Sequence, residues 1–460
     1  MNGNRDDKHS ALSRRGFLGG AGGAGLLALA GCGGSGSANG GASSSASAEP
    51  QHKGVVKLSF WTWVPGIENA VDLFNKTHKG KIQVDLNKIP AGTGGNGGGY
   101  AKIYSALKAG NAPDLAQIEY QQIPSFLINK GLMNIKQYAQ KHKGKFVDWQ
   151  WGQCVFNGGV YAVPQASGPM GMFYRKDLFD KWGIAPPKTW EEYAKTAATI
   201  RKKSPSSYIC TFPAGDSAWF TALAWQAGAQ WFTTRGNTWV VDVDSAPSRK
   251  VASYWQDLAD KKLVKTENDT NNAFWKDIQE GTLVTYIAAS WDDALLRGNA
   301  PNTKGKWAVV DMPQWDSGSF TASNWGGSST AVMRGSKYPR EATEFAVWLN
   351  TNKKSIDLLV TDGYGWPAIE DISGISSLNK NPEVFSFYGG QNINKVFEKA
   401  DAHIDESWGW IPLVDAVYNS LDDGFTAAVN GNGTFADALK KAQQDGISAL
   451  KGKGLKAASG

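Results

Sequence analysis

Residues 55–89 read VVKLSFWTWVPGIENAVDLFNKTHKGKIQVDLNKI, and two periodicities meet in them. Val55 to Trp61 is a short, largely apolar run, the pattern of a buried strand. From Ile67 the apolar residues fall at 67, 70, 71 and 74, the spacing of one helix face. Lys81 to Ile89 returns to strand character. Working outward, YAKIYSALKAG (100–110) predicts a second helix and PDLAQIEY (113–120) a third strand. Strand alternating with helix is the pattern of a mainly parallel α/β sheet flanked by helices.

Where the first strand runs out, Trp61 and Trp63 stand two apart, on one side of the strand by its period of two. Val64-Pro65-Gly66 then turns the chain into the helix. Open α/β sheets bind ligands beyond the carboxyl ends of their strands. The end of PDLAQIEY (Glu119, Tyr120) and the end of TLVTYIAASW (282–291, then Asp292) are predicted at the same edge. The chain holds 20 tryptophans. Trp255 and Trp348 sit in amphipathic patterns and are expected in cores. Trp61, Trp63, Trp291, Trp325, Trp366, Trp408 and Trp410 lie beside Gly, Pro, Asp or Asn, in segments read as loop. Aromatic rings held out by loops suggest a stacking surface for a ligand.

The helix signals continue downstream. Thr189 and Glu192 have capping-box spacing at the head of 190–203, YPREATEFAVWLN (338–350) is amphipathic, and a long helix is expected from Thr434 to about Lys451. No internal repeat is present.

The N-terminus carries a different message. Ser13-Arg14-Arg15-Gly16-Phe17-Leu18 is a twin-arginine pattern. The apolar stretch from Phe17 to Gly31 falls short of the roughly 20 residues that span a bilayer. Residues 1–31 therefore read as an export signal. Leu29-Ala30-Gly31-Cys32 resembles the lipobox of bacterial lipoproteins, which implies cleavage before Cys32 and lipidation of that residue. Residues 32–53 are nearly all small or polar and predict a flexible tether. The expected location is outside the cytoplasm, anchored to the outer face of the cell membrane.

Composition excludes several functions. With 48 Lys and Arg against 42 Asp and Glu and no basic block, nucleic acid is not an expected partner. Cys154 and Cys210 are the cysteines left beyond Cys32, as a disulfide or as two separate thiols. Gly92, Gly94 and Gly97 formally match a dinucleotide fingerprint, with Asp114 downstream. A run as glycine-rich as AGTGGNGGG (91–99) meets such a pattern by chance and reads as a loop. The five histidines are scattered, and no zinc motif or nucleophile elbow occurs, so no metal or cofactor is expected. A glycoside hydrolase needs only two carboxylates, for which Glu119, Asp216, Asp292, Asp293 and Glu406 are available.

Several segments then carry a family resemblance. They are YSALKAGNAPDLAQIEYQQIPSFLINKGLM, GGVYAVPQASGPMGMFYRKDLFDKWGIAPPKTWEEY, EGTLVTYIAASW and NWGGSSTAVMRGSKYPREATEFAVWLN. Together they resemble the extracellular solute-binding proteins of sugar ABC importers, the group similar to maltose-binding protein. The resemblance spans residues 55–455. It implies a periplasmic-binding-protein-like fold of two lobes, with several crossover segments as hinge. Residues 54–164 plus 326–370 form lobe one and 165–325 plus 371–456 lobe two, with crossings near 163–168, 323–327 and 369–373. It further implies a monomer that closes over a carbohydrate, delivers it to an ABC permease and does no chemistry itself. Trp61, Trp63, Glu119, Tyr120, Gln165, Trp291, Asp292, Trp325, Gly326, Trp366 and Trp408 are the expected ligand-binding residues. The competing readings are a tethered glycoside hydrolase, or the same fold holding a peptide or polyamine.

Overall fold

In the computed structural model, which describes residues 54–92 and 98–460, the opening stretch forms β1 (Val56–Thr62), α1 (Ile67–Thr77) and β2 (Ile82–Lys88). The export signal, Cys32 and the tether lie outside the described residues, as do residues 93–97 of the glycine run. α2 (Gly99–Ala109) and β3 (Leu115–Glu119) follow as expected. Phe60 on β1 and Phe74 on α1 both meet Phe345 edge-on, at 5.4 and 4.9 Å between ring centroids. Residue 345 belongs to α6 (Pro339–Thr351), so distant sequence closes this core.

The chain returns to the first sheet three times. α3 (Asp148–Gln153) precedes β4 (Ala162–Ser167), and β8 (Ser328–Val332) and β9 (Trp366–Pro367) come later. The order is β9-β4-β8-β3-β1-β2. A second sheet, ordered β6-β5-β7, is built from β5 (Met170–Arg175), β6 (Thr285–Ala289) and β7 (Trp307–Asp311). Between them the two sheets and their helices make a two-lobed molecule. α4 (Ser217–Gln226), α5 (Asp292–Asn299), α8 (Asn394–Asp401), α9 (Val414–Val429) and α10 (Phe435–Gly452) belong to the second sheet's side, while α7 (Lys353–Thr361) packs on α1.

The sheets are mixed rather than mainly parallel. β1 runs parallel to β2 and β3, but β8 is antiparallel to both β3 and β4, β9 is antiparallel to β4, and β5 is antiparallel to both its neighbours. The reason is the crossing itself. β8 enters from the second sheet, at the edge where β3 and β4 leave, and can only run back against them.

At the junction two crossing segments lie side by side. Gly168 N–H donates to Asn324 Oδ1 at 2.7 Å, and Trp325 N–H to Gly168 O at 2.9 Å. A Cβ at Gly168 would lie 2.0 Å from that Trp325 carbonyl, so only glycine allows this approach. Gly326 and Gly327 follow at φ of 80° and 91°, which favours glycine.

Most of the tryptophans expected in loops are buried. Trp325, Trp366, Trp408 and Trp410 are buried, and only Trp61, Trp63 and Trp291 of that set are half-buried. Their Gly, Pro and Asp neighbours shape tight turns that fold the rings inward. Cys154 and Cys210 are separate buried thiols, and burial pushes the Cys210 thiol up to about 12. The Thr189 cap receives the Glu192 N–H at 3.1 Å, but the Glu192 carboxylate turns to the Lys188 N–H, leaving the capping box half made. The full box forms at Thr434 with Asp437, at the head of α10.

Candidate ligand cleft

The first wall of the cleft is built where β1 and β3 end. Thr62 Oγ1 (2.7 Å) and the Trp63 N–H (3.1 Å) both donate to Gln117 Oε1, and Gln117 Nε2 donates to Ser328 Oγ at 3.0 Å. These bonds fix the strand ends and aim the Trp63 ring, which meets Tyr100 edge-on at 5.7 Å and 90°. Tyr100 OH donates to Glu119 Oε2 at 2.8 Å and accepts the Glu119 N–H at 2.9 Å. A Cβ on Gly92 would stand 2.6 Å from the Tyr100 ring and 2.8 Å from that of Trp63, so glycine lets the chain close over both.

The opposite wall comes from the second lobe. Asp216 accepts the Trp219 N–H at 2.9 Å and Asp422 accepts the Ser217 N–H at 2.8 Å, so two carboxylates share the N-terminus of α4. The partial positive charge of that helix end holds them there. Asp415, Tyr418 and Asp422 follow at helical spacing along one face of α9. Across the cleft, Gln122 Nε2 donates to Asp415 Oδ1 at 2.6 Å, and Leu413 N–H donates to Ser125 Oγ at 2.9 Å.

Two sets of buried polar atoms lack a protein partner here. Gln121 and Gln122 each have a free Oε1, while the Gln122 amide donates to Asp415. At the other end of α4, Trp225 stacks on Trp408 at 4.7 Å and 13° and meets Trp149 edge-on at 6.5 Å. The indole N–H groups of Trp149 and Trp408 are both unpartnered. Buried polar groups are nearly always paired, so these atoms are open to a partner from outside the chain.

The electrostatics of the cleft are one-sided. Burial, reinforced by Asp415 and Asp216, pushes the Glu119 carboxyl up to about 7, against the bonds from Tyr100 and Gln121. Burial, with Asp422 beside it, raises Asp216 to about 6; burial raises Asp422 to about 6 and Asp415 in the same direction. Among the described residues no Lys, Arg or His forms an ion pair with any of the four. Rings, carboxylates and free amide oxygens around one space can hold a polar solute that has an apolar face and outward donors.

Comparison with known proteins fits this geometry. Residues 62–355, more than half the chain, match the family described as bacterial extracellular solute-binding protein. The chain belongs to that family. This solute-binding protein is 24% identical to the arabinooligosaccharide-binding protein of Bacillus subtilis over 427 residues, 89% of this chain and 93% of that one. Its counterpart of the same name in Halalkalibacterium halodurans is 24% identical over 357 residues, 75% and 78% of the two chains. Among solved structures, the galacto-N-biose/lacto-N-biose I-binding protein of a Bifidobacterium longum ABC transporter superposes with a TM-score of 0.80. That pair is 28% identical, over 88% of this chain and 100% of the other. An ABC-transporter-associated binding protein of Bifidobacterium animalis subsp. lactis, in complex with β-1,6-galactobiose, gives 0.75 at 26% identity, over 88% and 99%.

Within this solute-binding protein the expected ligand residues separate into groups. Trp63 and Glu119 come together at the cleft through Tyr100. Trp61 shares the face of Trp63 but lies one step back, with Lys102 Nζ 4.8 Å from its ring centroid. Trp291, Trp325 and Gly326 gather at the crossing: the two rings are 4.8 Å apart, and Trp291 Nε1 donates to Trp325 O at 3.0 Å. Asp292 is fully buried, and its oxygens accept Tyr286 OH (2.7 Å) and the Ala289 N–H (3.0 Å), so it braces the strand-to-helix turn rather than facing a solute. Gln165 is likewise buried in the sheet beside Thr330. Tyr120 is buried and donates to Gln150 Oε1 at 3.0 Å; Gln150 Nε2 reaches Ser167 Oγ at 3.3 Å, which donates to Asp401 at 2.8 Å. Tyr120 thus belongs to a hydrogen-bonded chain across the hinge, while Trp366 is buried in β9 at the edge of the first sheet. Trp408 is buried, with its N–H free.

Tyr100, Gln121, Gln122, Trp149, Asp415, Tyr418 and Asp422 line the candidate cleft without standing out in the sequence, where Asp216 is marked only as a carboxylate available to a hydrolase. The 415–418–422 spacing was the available signal: a polar stripe beside the apolar face of a helix.

Proposed function

We propose that this solute-binding protein captures a carbohydrate between its lobes and delivers it to the permease of an ABC importer. The observation that carries the reading is the cleft wall of Trp63 and Tyr100 beside Glu119, with Gln121 and Gln122 presenting unpartnered oxygens. A sugar ring has an apolar C–H face for the aromatic rings and a rim of hydroxyls for the polar groups. The relatives named for arabinooligosaccharides, lacto-N-biose and β-1,6-galactobiose support the same class. Lobe one takes 54–167 and 326–370, lobe two 168–325 and 371–456, since β4 keeps residues 165–167 in the first sheet, and ligand contacts from both lobes favour the closed form.

The ligand-binding set we assign is Trp63, Tyr100, Glu119, Gln121, Gln122, Asp216, Asp415, Tyr418 and Asp422, with Trp149 and Trp408 at the far end of the cleft. The twin-arginine pattern and Cys32 support export and a lipid anchor on the outer face of the cell membrane, with the protein acting as a monomer. It performs no reaction of its own, a reading supported by relatives named as binding proteins. Calorimetry against a panel of mono- and oligosaccharides tests the function: stoichiometric binding without turnover is expected. Hydrolysis of any bound sugar would make the protein an enzyme, and no binding across the panel would remove the carbohydrate assignment.

A further inference from the structure

The polar groups of the cleft are unevenly divided. At the N-terminal end of α4 four carboxylates converge from both lobes: Glu119 from the end of β3, Asp216 from the helix cap, and Asp415 and Asp422 from α9. Gln121 and Gln122 stand among them, buried to 6% and 3% exposure. The Gln122 amide nitrogen donates to Asp415 at 2.6 Å, which fixes which way that amide points. The side-chain oxygens of both glutamines are buried and without a partner. The buried unpartnered amide atoms at this end are therefore acceptors. The free donors, the indole N–H groups of Trp149 and Trp408, are at the Trp225 end of the same helix.

A neutral hydroxyl is a weak answer to such a site, because it brings one donor and no charge. An ammonium group brings three donors and the missing positive charge. We propose that the solute is a carbohydrate carrying a protonated amine, seated with its ammonium among Glu119, Asp216, Asp415 and Asp422 and its hydroxyl oxygens toward Trp149 and Trp408. The proposal rests on the carbohydrate reading above and narrows it to cationic sugars. Like-charged carboxylates disfavour their own ionised forms in the empty cleft, and a bound cation relieves that repulsion. Binding should accordingly weaken with added salt, as screened charge pairs do.

The test uses matched sugars that differ at one group: glucose, glucosamine and N-acetylglucosamine; the galactose series; and cellobiose, the chitosan disaccharide and diacetylchitobiose. Titration calorimetry of the full protein at pH 7 is expected to show the amine of at least one series binding tenfold or more tighter than its hydroxyl and acetamido partners. Glu119→Gln and Asp415→Asn, which keep shape but remove charge, should each cut that preference severalfold. Both should leave the melting temperature of the empty protein unchanged or higher, where a purely structural carboxylate would lower it. Hydroxyl or acetamido members binding as well as the amines would overturn the proposal and leave the carbohydrate reading standing. Binding of spermidine with no sugar bound would overturn both, and so would a panel in which nothing binds.

Discussion

Trp63 shows how much one side chain can be asked to do. Its backbone is fixed by Gln117 and its ring by Tyr100, so the indole face is pre-set before a solute arrives. Trp63→Ala should weaken sugar binding about tenfold, given about 0.5–1.5 kcal/mol for an aromatic contact beyond its area. The melting temperature of the empty protein should change little, because the ring is only half-buried; a large fall would place Trp63 in the core instead. The carboxyls make a second prediction at this scale. Glu119 and Asp401 are pushed up to about 7, and Asp216 and Asp422 to about 6, chiefly by burial. Unfolded carboxyls release their protons near pH 4. Between about pH 4 and pH 7 the folded chain thus holds protons that the unfolded chain has lost, and stability falls as pH rises through that window. Thermal melts of the ligand-free protein should be higher at pH 5 than at pH 8, and Glu119→Gln should flatten the slope; a higher melt at pH 8 would contradict the burial of these groups.

At the scale of elements, the hinge turns on the close approach of Gly168 to Trp325. Gly168→Ala must separate the two crossing segments, and we expect a destabilisation of about 1–3 kcal/mol, the range for overpacking a tight contact. Calorimetric unfolding would read it, and an unchanged melt would mean that the crossings slide freely. The elements were largely legible in the sequence. β1, α1, β2, α2 and β3 follow from periodicity, because each buries one face against a nearby neighbour. The direction of β8 was not legible, since it depends on which lobe the chain comes from and not on side-chain pattern. The site was half legible. Trp63 and Glu119 stand at strand ends, where local sequence marks them. Asp415, Tyr418 and Asp422 reach the same space from nearly three hundred residues away; their spacing marks a polar stripe on a helix, but not what that stripe turns toward. Tryptophans beside glycine and proline misled, because a tight turn can fold a ring inward as readily as out.

For the molecule as a whole, the chain crosses between lobes beside itself, and the chain Tyr120–Gln150–Ser167–Asp401 ties β4 to α8. Two lobes joined this way should unfold together. A single calorimetric transition is expected, with van't Hoff and calorimetric enthalpies equal, rising in temperature when a sugar binds; two separable transitions would make the lobes independent. The order of strands in the first sheet also bears on how the protein is made. β8 lies between β3 and β4, yet it is synthesised after every strand of the second sheet. Until residue 332 emerges from the ribosome, the inner edges of β3 and β4 have no partner, and open strand edges are where nascent chains pair wrongly. Of these two sheets, the one begun first is thus completed last, and the segment that closes it is the one that has just passed through the hinge.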